Sequence, residues 1–125
     1  MGRTIEQRLD EARSQIERLS PQAASQALEE GATLIDTRCG DDRTAEGIVP
    51  GSVHFPLSVL EWRADPSSDA SDPAVTDFDR HLILMCNDGF SSSLAGARLV
   101  DIGHRKVADV VGGFRAWKEA GLPVS

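Results

Sequence analysis

Cys86 stands between a run of four apolar residues and a short polar loop, in the stretch Leu82-Ile83-Leu84-Met85-Cys86-Asn87-Asp88-Gly89-Phe90-Ser91-Ser92-Ser93-Leu94-Ala95. A cysteine is nucleophilic as its thiolate, so the chemistry turns on what could hold a negative charge on that sulfur. The run Leu82–Met85 is bounded by polar residues and has the length of a parallel strand covered on both faces. Ser91, Ser92 and Ser93 offer N-caps for a helix whose inward stripe is Leu94, Ala97, Val100 and Ile102. The cysteine then lies at the carboxyl end of a strand, facing a helix N-terminus, where open α/β sheets hold their ligands. Backbone N–H groups of the 87–92 turn and the helix dipole favour an anion there, and such settings draw a thiol pKa below about 8.5. Each unit of depression favours the thiolate by about 1.4 kcal/mol. The competing reading is a small buried core residue.

Positioning such a cysteine takes a sheet with helices on both faces, and the rest of the chain reads that way. Residues 3–19 place Ile5, Leu9, Ala12, Ile16 and Leu19 at spacings of four and three, a narrow apolar stripe on a charged helix. That N-terminal amphipathic helix (1–19) is read as an extra element packed on the domain, with a homodimer contact as the alternative. Ser20 and Pro21 then cap and open a second helix running to about residue 30, with Gly31 past its end. Thr33–Asp36 is the first strand. Asp41, Asp42, Arg43 and Glu46 are assigned to a loop, 52–55 to a second strand and 57–63 to a helical turn. Residues 64–77 form a surface loop. After the Cys86 strand and its helix, closed by Gly103, a strand covers 106–110, and Gly112-Gly113 leads into a last helix holding Phe114 and Trp117. Strands alternating with helices predict a three-layer α/β domain over 20–125 with a mostly parallel sheet.

Composition narrows the functions. The chain has 125 residues, is 40% hydrophobic and carries a net charge of −7, which suits one domain with its own core and disfavours nucleic acid or an anionic membrane surface as partner. No apolar run approaches a membrane span, and the first residues lack the apolar core of a signal peptide, so a cytoplasmic location is expected. In that compartment Cys39 and Cys86 are expected to stay reduced. Two cysteines and three scattered histidines, His54, His81 and His104, make no zinc site. No Gly-x-Ser-x-Gly elbow supports serine hydrolysis.

Several segments, in order, resemble the rhodanese family of sulfurtransferases. Leu34-Ile35-Asp36-Thr37-Arg38 is similar to its opening strand, Glu46-Gly47-Ile48-Val49-Pro50-Gly51-Ser52 to its "G-H-I-P-G-A" segment, and Cys86-Asn87-Asp88-Gly89-Phe90-Ser91-Ser92 to its catalytic loop. Asp109 to Trp117, followed by Ala120-Gly121-Leu122-Pro123-Val124, resembles its closing "G-G-x-x-A-W-x-x-A-G-L-P-V". Leu60-Glu61-Trp62-Arg63-Ala64-Asp65-Pro66 looks like a subset of single-domain bacterial rhodaneses, particularly actinobacterial ones. The resemblance implies a five-stranded parallel sheet with helices on both faces. It implies transfer of sulfane sulfur from a small-molecule or protein donor, such as thiosulfate or a persulfide, to a thiol- or cyanide-like acceptor. The sulfur would ride as a persulfide on Cys86, with no other cofactor and no metal. A carrier that serves one protein partner without small-molecule turnover is the alternative.

The same resemblance assigns roles. Asn87, Asp88, Gly89, Phe90, Ser91 and Ser92 form the anion cradle, Gly89 letting the loop curl and the serines adding hydroxyl donors. The related phosphatase branch resembles Cys-x5-Arg, whereas the sixth position after Cys86 is Ser92, which argues against dephosphorylation. The family's loop arginine is Ser91 here, and Asp88 adds a negative charge, which disfavours dianionic thiosulfate. Arg63 is the candidate replacement cation and Trp62 a candidate pocket wall. Asp36, Arg38 and Glu46 are expected to form a charge network fixing the first loop. Cys39 follows that loop and is expected to be a bystander near the same face.

Overall fold

A computed structural model describes residues 2–125. The chain forms α1 (Ile5–Arg13), β1 (Glu17–Leu19), α2 (Pro21–Glu29), β2 (Thr33–Asp36), α3 (Gly40–Glu46), β3 (Val53–His54), α4 (Leu60–Ala64), β4 (Leu82–Met85), α5 (Ser91–Ile102), β5 (Val107–Val110) and α6 (Gly113–Glu119). The five strands are parallel in the order β1-β5-β4-β2-β3. The expected three-layer α/β architecture is the one adopted.

The central strand shows why its residues are apolar throughout. Leu82 and Leu84 of β4 enter a core with Ile35, Leu60 and Leu99 on one face, while Ile83 and Met85 enter a second core with Leu34, Phe114 and Trp117 on the other. All four are fully buried, as a strand covered on both faces requires. Helices α1, α4 and α5 lie over the first core, and α2 packs with α6 over the second.

Three elements differ from expectation. The helix read over 3–19 stops at Arg13, and Glu17–Leu19 is instead the edge strand β1, paired with β5 from Glu17↔Ala108 to Leu19↔Val110. A spacing of three between Ile16 and Leu19 fits a helix, but here it divides the two residues between the two cores. Pairing also satisfies the edge of β5, which would otherwise expose its backbone groups. The acidic stretch read as a loop is α3, with Asp41 and Asp42 in its first turn, where carboxylates complement the helix dipole. The serines do not cap α5: Phe90 is its N-cap, without a side-chain bond, and Ser92 and Ser93 are buried inside the first turn. Ser20 does cap α2, accepting from the Ala23 N–H, with Pro21 at the first position.

Helix α1 packs on α5 within the chain, burying Ala12. No helix among the described residues is long and apolar enough to cross a membrane.

Candidate active site

Because β4 and β5 run parallel in register, the loops leaving their carboxyl ends meet. Phe114 N–H donates to the Cys86 carbonyl at 2.7 Å and Arg115 N–H to the Asn87 carbonyl at 3.1 Å. This close seating requires glycine at two points. A Cβ on Gly113 would lie 2.5 Å from the Cys86 carbonyl oxygen, and one on Gly89 would lie 2.7 Å from the Gly112 nitrogen. Both glycines have positive φ, a conformation other residues rarely adopt.

The loop curls around the sulfur. The Gly89 N–H donates to Cys86 Sγ at 3.1 Å, and Sγ lies 3.3 Å from Ser92 Oγ. Burial pushes the thiol up. Hydrogen bonds from the Ser92 and Ser91 hydroxyls and from the Ser92 and Gly89 N–H groups outweigh it, so the thiol titrates below its usual range. Cys86 is buried, and it borders a cavity of about 360 Å³ shared with Thr37, Cys39, Asp42, Leu57 and Phe90. A low-lying thiolate at the floor of an open cavity is a nucleophile with room for a small anion or a partner's thiol.

Two arginines from the N-terminal segment support the loop from behind. Arg13 Nη2 and Arg18 Nη2 donate to the Gly89 carbonyl at 2.8 and 2.9 Å, fixing the peptide that follows the N–H bonded to the sulfur. Arg13 also lies 5.5 Å from the Phe90 ring centroid. Arg18 pairs with fully buried Asp109 of β5, which in turn accepts from the Ser92 and Ser93 hydroxyls. Arg13, Arg18, Asp109 and Arg115 escaped the sequence reading. Arg18 lies in the segment where a strand replaces the expected helix, while the parallel register that brings the two loops together points to Arg115.

A family model for the rhodanese-like domain matches residues 20–120. The chain belongs to the rhodanese-like family. Thiosulfate sulfurtransferase GlpE of Pseudomonas savastanoi is 35% identical over 106 residues, 84% of this chain and 90% of that one. The GlpE of Haemophilus influenzae is 31% identical, covering 85% and 91%. A solved structure from Rhodopseudomonas palustris, of unknown function and described as a possible tyrosine phosphatase, is 33% identical with a TM-score of 0.92, covering 100% of this chain and 96% of that one. The polysulfide-sulfur transferase homodimer of Wolinella succinogenes shares the fold at 24% identity and a TM-score of 0.75, covering 96% and 85%.

Within this rhodanese-like site, Cys86, Asn87, Asp88, Phe90 and Ser91 gather at one cavity, with Gly89 and Ser92 bonded to or beside the sulfur. Asp88 does not stand as an unpaired charge: Arg115 Nη1 reaches it at 2.6 Å. Asn87 Nδ2 donates to Asp42 at 2.8 Å, and that amide, then the Cys39 thiol, holds the Asp42 carboxyl below its usual range. Trp62 and Arg63 are not among the cavity's lining residues. They sit on α4, where Arg63 donates to the Ala70 carbonyl at 2.9 Å and Trp62 is largely exposed. The charge network also differs in membership. Arg38 grips Asp36 at 3.1 and 2.8 Å and donates to the Gly47 carbonyl, with Arg43 as the third member. Arg38 Nη1 has no hydrogen-bond partner, and the guanidinium lies 3.7 Å from the Phe114 ring centroid. Glu46, at the end of α3, pairs instead with Arg115 at 3.4 Å.

Proposed function

We propose that Cys86 takes a sulfur atom from thiosulfate or a persulfide and passes it to a thiophilic acceptor. The enzyme is a sulfurtransferase of the rhodanese type. The Cys86 thiolate attacks the outer sulfur of the donor; the bond to the donor breaks, and sulfite or the donor's thiolate leaves with the electron pair. The persulfide anion on Cys86 is held by the loop's N–H groups and the serine hydroxyls, until an acceptor thiolate or cyanide takes the outer sulfur and restores the Cys86 thiolate. No metal or organic cofactor is needed for this exchange, and the two free cysteines suit a reducing cytoplasm.

The observation that carries this reading is the Gly89 N–H on a thiol drawn below its usual range at the floor of an open cavity. A second reading, a carrier loaded by a protein persulfide, has its own support. Among the described residues lining the cavity Arg38 is the one cation, and its charge is committed to buried Asp36. The thiosulfate dianion therefore finds less compensation there than a thiol-borne sulfur does.

Intact-mass measurement separates the two. The protein, incubated with thiosulfate, should gain one sulfur atom that cyanide removes, and Cys86→Ala should gain none. The loading rate should rise with pH and level off below the ordinary thiol value of about 8.5. Loading from a persulfide but not from thiosulfate would favour the carrier; loading by neither, or undiminished loading of the variant, would sink both.

A further inference from the structure

Ser92 has one hydroxyl proton and two neighbours that could use it. On one side Cys86 Sγ lies 3.3 Å away; on the other, Asp109 Oδ2 lies 2.8 Å away. Asp109 is fully buried, so water cannot supply it a missing donor. Asp109 accepts in addition from Ser93 Oγ at 2.7 Å and from Arg18 Nε and Nη2 at 3.0 and 3.4 Å.

We infer that Asp109 is a positioning residue for Cys86: anchored by Arg18, it competes with the sulfur for the single proton of the Ser92 hydroxyl. In the thiol state the chain of bonds is complete, with the Cys86 S–H donating to Ser92 Oγ and the Ser92 hydroxyl donating to Asp109. Once the thiol has lost its proton, Ser92 is the hydroxyl that turns to the sulfur, and Asp109 falls back on Ser93 and Arg18. When a second sulfur is attached, the charge moves one atom outward, past Ser92, and the hydroxyl returns to Asp109. The carboxylate thus limits how well the bare thiolate is stabilised and favours the step that moves its charge away. A thiolate held less tightly is the stronger nucleophile.

The other charged groups around this pair are accounted for. Arg13 of α1 donates to Ser93 Oγ and the Gly89 carbonyl; Arg38, after β2, is held by Asp36. At the cavity rim Asp42 of α3 is bonded to Asn87, and Asp88 is paired with Arg115 of α6. None of them touches the Ser92 hydroxyl.

The inference rests on Cys86 as the working nucleophile, but its test is read without any sulfur donor, so failure to load sulfur would count against the transfer reading alone. The measurement is the titration midpoint of the Cys86 thiolate, followed by thiolate absorbance and by the pH dependence of iodoacetamide alkylation in a Cys39→Ser background. Asp109→Asn should lower the midpoint by about one unit, the scale of one hydrogen bond to a charged group. In a Ser92→Ala background the same substitution should move it by less than a third of that amount. Ser93→Ala, which keeps both charges, should raise the midpoint, because Asp109 then draws harder on Ser92. This variant also covers the case in which Asp109→Asn does not fold. A shift for Asp109→Asn that survives intact without Ser92 would show that the carboxylate acts through its charge alone and overturn the proposal. So would an unchanged or lowered midpoint in Ser93→Ala.

Discussion

Two carboxylates flank the Cys86 loop, and each is paired with an arginine, yet they are not equivalent. Asp88 on the rim meets Arg115 with both side chains about half exposed (51% and 52%), whereas Asp109 beneath the loop is fully buried against Arg18. In water the attraction between two charges is weak and screened by salt; under the loop it is strong, and the cost of leaving either partner alone is correspondingly high. The rim pair is therefore free to form and dissolve as a substrate arrives. The buried pair is a fixed part of the structure, and through Ser92 it reaches the sulfur.

A third carboxylate extends the comparison to its limit. Asp36 and Arg38 are both fully buried, and Arg43 adds a second donor. Asp36→Asn leaves the Arg38 charge uncompensated and should cost about 3–5 kcal/mol by urea denaturation at neutral pH. The sign of the pH effect follows from the Asp36 carboxyl: burial raises its pKa, but the hydrogen bonds and charge of Arg38, with Arg43, outweigh that and hold it below its ordinary value of 3.8. Its contribution is complete above that value and is lost as the pH falls through the lower, native one. Stability of the wild-type protein should fall below about pH 4 more steeply than that of Asp36→Asn. Parallel acid limbs in the two proteins would remove Asp36 from the account.

Arg18→Met tests the middle case. Asp109 keeps its two serine donors and Arg18 is 24% exposed, so the loss should be smaller, about 2 kcal/mol. Because Arg18 also holds the Gly89 carbonyl, sulfur loading should slow as well. A variant as stable as the wild type would mean that the depth of Asp109 does not matter and that the contrast with Asp88 is false.

The same contrast marks how far the sequence could be read. The strand with Cys86 at its end, the glycine loop and the closing Gly112-Gly113 were legible, because local patterns specify them: an unbroken apolar run, a left-handed turn, a close approach that excludes Cβ. The ring of arginines was not. Arg13 and Arg18 reach the loop from more than 70 positions upstream of it, Arg13 from the end of α1 and Arg18 from a three-residue strand too short to show a period. Arg63 precedes the loop in sequence, but its guanidinium closes its own loop at Ala70. Asp88 looked like a repulsive charge only while its partner was unknown, since Arg115 comes from the next strand's helix.

Asp88→Asn should accordingly have the smallest effect. The denaturation midpoint should not move measurably, because an exposed pair contributes little. What should change is the response to salt. Removing Asp88 takes one negative charge from the cavity rim and leaves Arg115 balanced by Glu46 alone. Thiosulfate loading should then quicken by about two- to three-fold at low ionic strength and return to the wild-type rate as salt is added. A loss of stability comparable to that of Arg18→Met would show that the rim pair, like the buried one, is structural, and the distinction between the two carboxylates would fail.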